Sequence, residues 1–249
     1  MDRKRSSLSV LAAAILFSGC YKPPAGPGPG QLELTIIADW EGQPFATNTE
    51  YHNVNDYRVF VDQLRAYLSE MRMVSATDTA ELLDIDLVDL GGGPVTYSFT
   101  VPGGTYTHLL TGIGIPEDLN NSDPAQYPQG HPLSLSNGTY WTWTTGYRFI
   151  IFDGRYDTDP NGTGNVLPTF SIHAGLDTCY TFAEVQSLLP ITIMEGVTHQ
   201  ATLRVHVDRF FHSGTDTLDL AIDNQFHGGS NVDVALRLME HVKHALELE

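Results

Sequence analysis

Hydrophobic and polar residues alternate along this 249-residue chain in short runs that turn-forming residues separate. A period of two is typical of a β-strand, because successive side chains point to opposite faces of a sheet. Thr198–Val207 shows the pattern most cleanly, with Ala201, Leu203 and Val205 on one face. The other runs that predict strands are 31–39, 57–74, 84–90, 95–101, 105–115, 140–153 and 169–174.

Two segments predict helices. Val232–Leu248 places its apolar residues near a spacing of 3.6 and predicts a C-terminal helix, and we expect a short helix at Phe182–Leu189. Polar loops fill much of the remainder, and the loop at 116–139 is long enough to suggest a function. Many short strands with turns between them predict an all-β fold, an antiparallel β-sandwich with long loops and a C-terminal helix.

The first twenty residues predict export. A basic start at Arg3–Arg5 precedes an apolar run, Val10–Phe17, that is too short to span a bilayer. The run ends in LFSGC, which resembles a bacterial lipoprotein signal. The resemblance implies cleavage before Cys20, a lipid on its sulfur, and a place at the outer membrane or in the periplasm. The alternative is an ordinary signal peptide that is cut nearby.

The chain then divides into three predicted parts. Residues 1–19 are the lipoprotein signal peptide, 20–30 form a Pro/Gly tether, and 31–249 form one domain, since the composition does not change after residue 30. A lipid on Cys20 leaves Cys179 without a partner in the chain, so we expect a buried thiol and no disulfide.

Charge narrows the possible partners. The chain has 13 basic and 30 acidic residues, a net charge of −17 at pH 7. Such a balance excludes nucleic acid as an expected partner and concentrates cations around the protein. All ten histidines lie beyond the leader, so imidazole ligands for a metal are plentiful.

The candidate chemistry centres on residues 131–154. Trp141 and Trp143 are two residues apart and should share one face of a strand. His131 stands before them, and His173 follows in FSIHAG. Two indoles on one face favour either an aromatic core or a metal or redox site that combines indole and imidazole.

Several stretches, in order, resemble one known family. The matching pieces are RAYLSEMRM at 65–73, IGIPEDLN at 113–120, HPL at 131–133, YWTWTTGYRF at 140–149 with Asp153-Gly154, and FSIHAG at 170–175. They cover roughly residues 31–225. Together they are similar to the MbnP-like family of methanobactin-associated copper-binding proteins from the bacterial periplasm and cell surface.

This resemblance implies a β-rich fold that binds copper in its acquisition or handling rather than in catalysis. It singles out His131 and His173 as metal ligands. It also implies a di-haem cytochrome peroxidase-like partner that oxidises a tryptophan, Trp141 or Trp143, to kynurenine. The sequence departs from one related copper protein, in which a histidine follows the modified tryptophan by two residues, because Trp143 stands at that position here.

A second cation site is also conceivable. Asp157, Asp159 and Asn161 place oxygen ligands at every second position before Gly162, as in the first half of a calcium loop. Pro168 stands where an EF-hand needs its bidentate glutamate, so an EF-hand is excluded. A loose calcium site and a solvated turn remain the two interpretations.

One alternative function belongs to a different class. The aromatic strip of Tyr140, Trp141, Trp143 and Tyr147 could stack on carbohydrate in a metal-free adhesion module of an outer-membrane assembly. The common motifs for an activated nucleophile, a phosphate loop and a dinucleotide site are missing from the sequence. We therefore expect a binding protein and not an enzyme.

Overall fold

The computed structural model describes residues 27–142, 146–166, 168–229 and 231–249. The predicted signal peptide, the lipidation at Cys20 and Trp143 lie outside these ranges. Most of the predicted tether does so as well.

Strands dominate the described part of the chain, which confirms the all-β prediction. They are β1 (Gly30–Trp40), β2 (Gln43–Pro44), β3 (Glu50–His52), β4 (Arg58–Ser75), β5 (Thr79–Asp89), β6 (Val95–Val101), β7 (Gly104–Ile113), β8 (Tyr140–Thr142), β9 (Gly146–Tyr147), β10 (Ile150–Asp157), β11 (Thr169–Ile172), β12 (Thr181–Ile193), β13 (Thr198–His206), β14 (His212–Ser213), β15 (Asp216–Thr217), β16 (Gln225–Phe226) and β17 (Leu246–Leu248). The α-helices are α1 (Glu117–Asn120) and α2 (Val232–His244), and short 3-10 helices cover Pro124–Gln126, Leu135–Asn137, Asp177–Cys179 and Val207–Phe211.

The long strand β4 organises one half of the sheet. It pairs antiparallel with β3, β5, β7 and β10, and β10 continues through β11 to β16. The other half runs from β7 through β12, β17 and β13 to β1, and β6 also pairs with β1. The pairs β1–β13, β11–β16 and β12–β17 are parallel. Hydrophobic alternation reports which face a residue occupies and not the strand direction, so it could not predict these parallel pairs.

The short helix expected at Phe182–Leu189 is wrong, because this segment lies in β12. Ala183 and Val185 are buried while Glu184 and Gln186 are exposed, which is a period of two. Antiparallel pairing with β7 supplies the backbone hydrogen bonds.

The predicted C-terminal helix is confirmed, but it ends at His244. The last residues form β17, which is antiparallel to β13 and parallel to β12. This strand satisfies backbone groups between its two neighbours, so the chain turns at Ala245 instead of continuing the helix.

The strand predicted at 140–153 is divided in two. A hairpin of β8 and β9 precedes β10, and Gly146 in it has φ +65°. A Cβ on Gly146 would lie 2.2 Å from Oδ1 of Asn120, so only glycine fits there. The same Asn120 oxygen accepts the backbone N–H of Tyr147 at 2.8 Å, and the long predicted loop thus fixes the hairpin.

One cluster of buried residues forms the core of the described chain. Its aromatic centre holds Phe152 against Phe170, Phe210 and Phe211, with ring centroids 5.0–5.6 Å apart. Each such ring that leaves water contributes roughly 1.5–3 kcal/mol. Asp153, Arg155 and Asp157 alternate with these buried residues of β10 and are only partly buried. Within the described residues, none of the helices has the length and apolar character needed to cross a bilayer.

Candidate metal centre

The outward face of β10 and β11 carries the polar residues of the site. Asp153 of β10 lies directly opposite Ser171 of β11. His173 stands two residues after Ser171 and so shares its face of the sheet. A bulge at Asp153/Gly154 interrupts the pairing of β10 with β4, and bulges of this kind re-aim the side chains beside them.

The parallel strand β16 brings a second imidazole to this face. Phe226 pairs with Ile172 and accepts the backbone N–H of His173 at 2.8 Å. His227, the next residue, therefore lies beside His173, and the centroids of the two imidazole rings are 4.7 Å apart.

The polar atoms of the four side chains form one connected group. Nε2 of His173 lies 2.8 Å from Oδ1 of Asp153 and 3.2 Å from Oγ of Ser171. The Ser171 hydroxyl also donates to Oδ1 of Asp153. Nε2 of His227 lies 2.6 Å from the same hydroxyl. A single carboxylate oxygen thus orients both imidazoles, one directly and one through Ser171.

Trp141 covers this group from the β8–β9 hairpin. Its neighbour Tyr140 packs edge-on against Tyr147 toward the core, so alternation turns Trp141 to the other face. The indole centroid is 5.8 Å from the His173 ring and 6.4 Å from the His227 ring. The guanidinium of Arg148 lies 5.8 Å from the indole centroid.

The hydrogen bonds determine which nitrogen of each imidazole is protonated. A charged carboxylate can only accept, so Nε2 of His173 donates to Asp153, and in the neutral form of the ring Nδ1 carries the lone pair. The Ser171 hydroxyl donates its one proton to Asp153, so its oxygen accepts a hydrogen bond from Nε2 of His227. Nδ1 of a neutral His227 then also keeps a lone pair. Among the described residues, Nδ1 of His173 is a buried atom without a hydrogen-bond partner. An unpaired buried acceptor of this kind costs roughly 1–3 kcal/mol.

The pKa shifts favour a charged Asp153 and a neutral His227. Burial raises the pKa of Asp153, but hydrogen bonds from His173 and Ser171 outweigh it, so the pKa of that carboxyl lies below its usual value. Burial of part of its ring, followed by the interaction with the neighbouring His173, lowers the pKa of His227, although the residue as a whole is exposed. At neutral pH the site therefore has a charged carboxylate and a neutral imidazole at His227.

This arrangement fits copper. A metal-bound histidine commonly donates its other ring N–H to a carboxylate, which fixes the ring and raises its basicity. Asp153 and Nε2 of His173 are arranged as such a pair, and the unpaired Nδ1 is the atom that would bind the metal. Imidazole nitrogens suit copper ions in both common oxidation states. His173 is the first ligand that we would assign, and His227 is the second.

The structure does not bring His131 to this group. Its ring stacks on Tyr127 at 4.4 Å, and its Nδ1 accepts the backbone N–H of Leu133 at 3.1 Å. In the described part of the chain, the contacts of His131 are with Leu133, Asn137 and Tyr127 and do not reach His173 or Trp141. Joint ligation by His131 and His173 therefore stays a prediction without support from a contact.

The aromatic strip of the alternative function is not a continuous exposed surface. Tyr147 is fully buried, and its hydroxyl donates to the carbonyl of Leu133 at 2.8 Å. Tyr140 packs against the core. Of the remaining pair, Trp141 faces the histidines and Trp143 lies outside the described residues. Among the described residues, the strip therefore offers a sugar ring one indole, that of Trp141, and not a flat surface of several aromatic rings.

The predicted calcium loop is built from internal hydrogen bonds. The carboxylate of Asp157 accepts the backbone N–H of Asp159 at 3.0 Å, and that of Asp159 accepts the N–H of Asn161 at 2.9 Å. The other oxygen of Asp157 pairs with the guanidinium of Arg58 at 3.2 Å. These contacts are those of a turn, and Arg58 supplies a positive charge within it. Calcium binding at Asp157, Asp159 and Asn161 stays a prediction.

Sequence reasoning missed three residues of the group. His227 was one of several histidines in a loop-rich segment, and only the β11–β16 pairing shows where it lies. Asp153 belonged to the motif that carried the family resemblance, but its partner was not identifiable. Ser171 is two residues before His173, and that spacing was the one signal in the sequence that places both on one face. Cys179 is buried, as predicted, and forms no disulfide within the described residues, which do not include Cys20.

Comparison with known proteins agrees with the resemblance found in the sequence. The sequence model of the MbnP family matches residues 29–231. Among solved structures, MbnP from Methylosinus trichosporium is similar at 15% identity, with a TM-score of 0.49 over 76% of this chain and 79% of that one. The search of curated proteins finds no match. Because the family model covers well over half of the sequence, the chain belongs to the MbnP family, which is associated with copper and with the periplasm or the extracellular space.

Proposed function

We propose that this chain is an exported, lipid-anchored protein that binds copper in its acquisition or handling. The observation that carries the proposal is the state of His173. Its Nε2 is held by Asp153, and its buried Nδ1 has no partner among the described residues. A buried nitrogen without a hydrogen-bond partner is explained if it binds a metal ion.

Copper is the cargo in this proposal. His173 and His227 would hold it, Asp153 and Ser171 would fix the two rings, and Trp141 would limit access of water from one side. Family membership and the choice of imidazole donors together favour copper over a hard cation such as calcium or magnesium.

The same geometry favours binding over catalysis. In a serine hydrolase the hydroxyl donates to an imidazole whose other nitrogen faces a carboxylate. Here Ser171 donates to Asp153 itself, and Nδ1 of His173 faces no carboxylate within the described residues. Ser171 is thus not activated as a nucleophile, which supports a binding protein.

We further propose that a tryptophan of this segment is oxidised to kynurenine by a di-haem cytochrome peroxidase-like partner. Trp141 supports this idea because its indole is half-buried and lies beside both imidazoles. The conversion takes two oxygen atoms from two peroxides and releases the indole C2 as formate. It leaves a ketone and an aromatic amine, which add donor atoms next to the histidines. Intact mass after co-expression with and without such a partner, followed by peptide mapping, tests the modification at Trp141 and Trp143.

Copper loading of the purified exported chain tests the main proposal. Under reducing conditions we expect about one equivalent of copper. His173→Ala and His227→Ala should each lose it, whereas His244→Gln, which changes an exposed histidine of α2, should not. Unchanged copper in a folded His173→Ala variant contradicts the proposal. His131→Ala tests the remaining ligand prediction, because it should retain copper if His173 and His227 are the ligand pair.

The anchor is tested separately in cells. Cys20→Ala should move the protein from the membrane fraction to the soluble periplasmic fraction. Continued membrane retention of that variant contradicts lipid attachment at Cys20 and leaves the copper proposal untouched.

A further inference from the structure

A second group of metal-ligating side chains lies away from the candidate copper centre. Asp39 is the penultimate residue of β1 and His206 is the last residue of β13, and the two are direct partners in this parallel pair. Asp208 follows two residues later, in the 3-10 helix Val207–Phe211. One ligand atom from each of the three lies within 4.8 Å of the other two.

This group is enclosed. Asp39 is 1% exposed and His206 is 7% exposed, and Asp208 is half-buried. A buried carboxylate is costly unless a cation or hydrogen-bond donors compensate it. A cleft of about 200 Å³ lies beside Asp39 and Arg204.

Asp39 and His206 each have two polar atoms with different partners. Oδ2 of Asp39 accepts a hydrogen bond from the guanidinium of Arg204 at 3.1 Å, and Oδ1 lies 2.9 Å from Nδ1 of His206. Nε2 of His206 points the other way, to a carboxylate oxygen of Glu247 at 3.4 Å. An imidazole with a carboxylate on its far nitrogen is the arrangement of a metal-bound histidine.

The charges around the group do not balance. Three carboxylates approach His206, those of Asp39, Asp208 and Glu247. Of these three, the guanidinium of Arg204 contacts Asp39, and Glu249 binds the same guanidinium with both oxygens, at 2.8 and 3.1 Å. A divalent cation between Nδ1 of His206 and the two aspartates would offset the excess negative charge.

We propose that Asp39, His206 and Asp208 bind a divalent metal ion of the zinc class, at a site separate from the candidate copper centre. Two carboxylates and one imidazole form a harder donor set than the two imidazoles at His173 and His227, so the site should prefer Zn²⁺ to Cu⁺. Glu247 is a positioning residue, because it reaches the metal only through the ring of His206.

This site would connect the end of the chain to the sheet. The ligands come from the ends of β1 and β13, and Glu247 belongs to β17, which pairs with β13. Binding of Zn²⁺ should therefore stabilise the folded chain, because a ligand that binds only the folded state shifts the unfolding equilibrium.

Equilibrium dialysis with Zn²⁺ alone tests the proposal, in the His173→Ala/His227→Ala background so that the other centre cannot contribute. We expect about one equivalent of zinc and a rise in melting temperature on zinc addition. His206→Gln and Asp208→Asn should abolish both effects. Glu247→Gln should weaken zinc binding by roughly 10- to 100-fold and keep the stoichiometry.

The matched control is Asp84→Asn, which removes an exposed carboxylate of β5 and should leave zinc binding unchanged. If His206→Gln does not fold, the half-buried Asp208→Asn variant still decides the question. Absence of zinc binding in the background protein, or full binding in folded Asp208→Asn, overturns the proposal and leaves a network of contacts among Asp39, His206 and Arg204.

Discussion

Asp153→Asn is the substitution that most directly separates a copper ligand from a structural histidine at position 173. Asparagine keeps the shape of the side chain and one acceptor oxygen, but it removes the negative charge that Nε2 of His173 faces at 2.8 Å. If copper binds Nδ1, loss of that charge makes the ring a poorer donor. Substitution of such a carboxylate behind a ligand weakens metal binding by roughly 10- to 100-fold.

The structure favours the lower part of this range. The side chain of Asp153 is 28% exposed, so solvent screens part of its charge. The shared oxygen also accepts from Ser171, which still orients the group after the substitution. We therefore expect a loss of roughly tenfold in copper affinity, or about 1.4 kcal/mol. Competition with a chromophoric copper chelator at fixed pH measures it.

The control for this experiment is Asp84→Asn. It removes the same charge from an exposed position on β5, so it reports how much the overall acidity of the chain attracts copper. Equal affinity in folded Asp153→Asn and in the unmodified chain would refute the reasoning, because His173 would then not depend on the carboxylate behind it.

Three further predictions concern stability. Gly154→Ala would place a Cβ 2.2 Å from the carbonyl oxygen of Phe60, so it should cost roughly 1–3 kcal/mol in urea unfolding. Asp153 has a lowered pKa in the folded chain. Its stabilising effect is therefore present above its unfolded pKa and is lost as the pH falls through the lower folded pKa. The free energy of urea unfolding of Asp153→Asn should consequently depend less on pH below about pH 4. Burial raises the pKa of Tyr67 to about 12, which an alkaline absorbance titration can detect. Tyr67→Phe should destabilise the fold by roughly 1–2 kcal/mol in urea, because the carbonyl of Pro132 loses a donor at 2.8 Å.

Matched variants sharpen these tests. Gly104→Ala is the control for Gly154→Ala, since its new Cβ would lie 3.8 Å from the Tyr106 ring, an ordinary contact. Tyr127→Phe removes a part-buried hydroxyl that bonds to Ser122 and should cost less than Tyr67→Phe. Equal costs within either pair, or identical acid dependence with and without Asp153, would contradict the corresponding prediction.

The sequence predicted the elements of this fold better than their partners. Alternation identified the strand Val95–Val101 to the residue and the centre of β4, because burial on one face leaves a local signal. It could not show that β1 and β13 run parallel or that the chain end forms β17. Pairing depends on contacts between distant segments, and a period of two is the same for either direction. The prediction of a helix at Phe182–Leu189 was wrong for a related reason. A short apolar run fits the period of a helix and that of a strand until pairing with a neighbouring strand selects one.

The candidate centre shows the same division more sharply. His173 could be found from its motif, and the spacing to Ser171 placed both residues on one face. The second imidazole, however, belongs to His227, which directly follows β16, and β16 pairs with β11 over two residues only. Since so short a strand has almost no periodic signal, His227 could be joined to His173 only in three dimensions. His131 and His173 were linked by the family motif, whereas the contacts link His173 to His227 through Ser171 and Asp153. The two assignments make opposite predictions for His131→Ala and His227→Ala, so a pair of single substitutions can decide between a site defined by motif and a site defined by strand pairing.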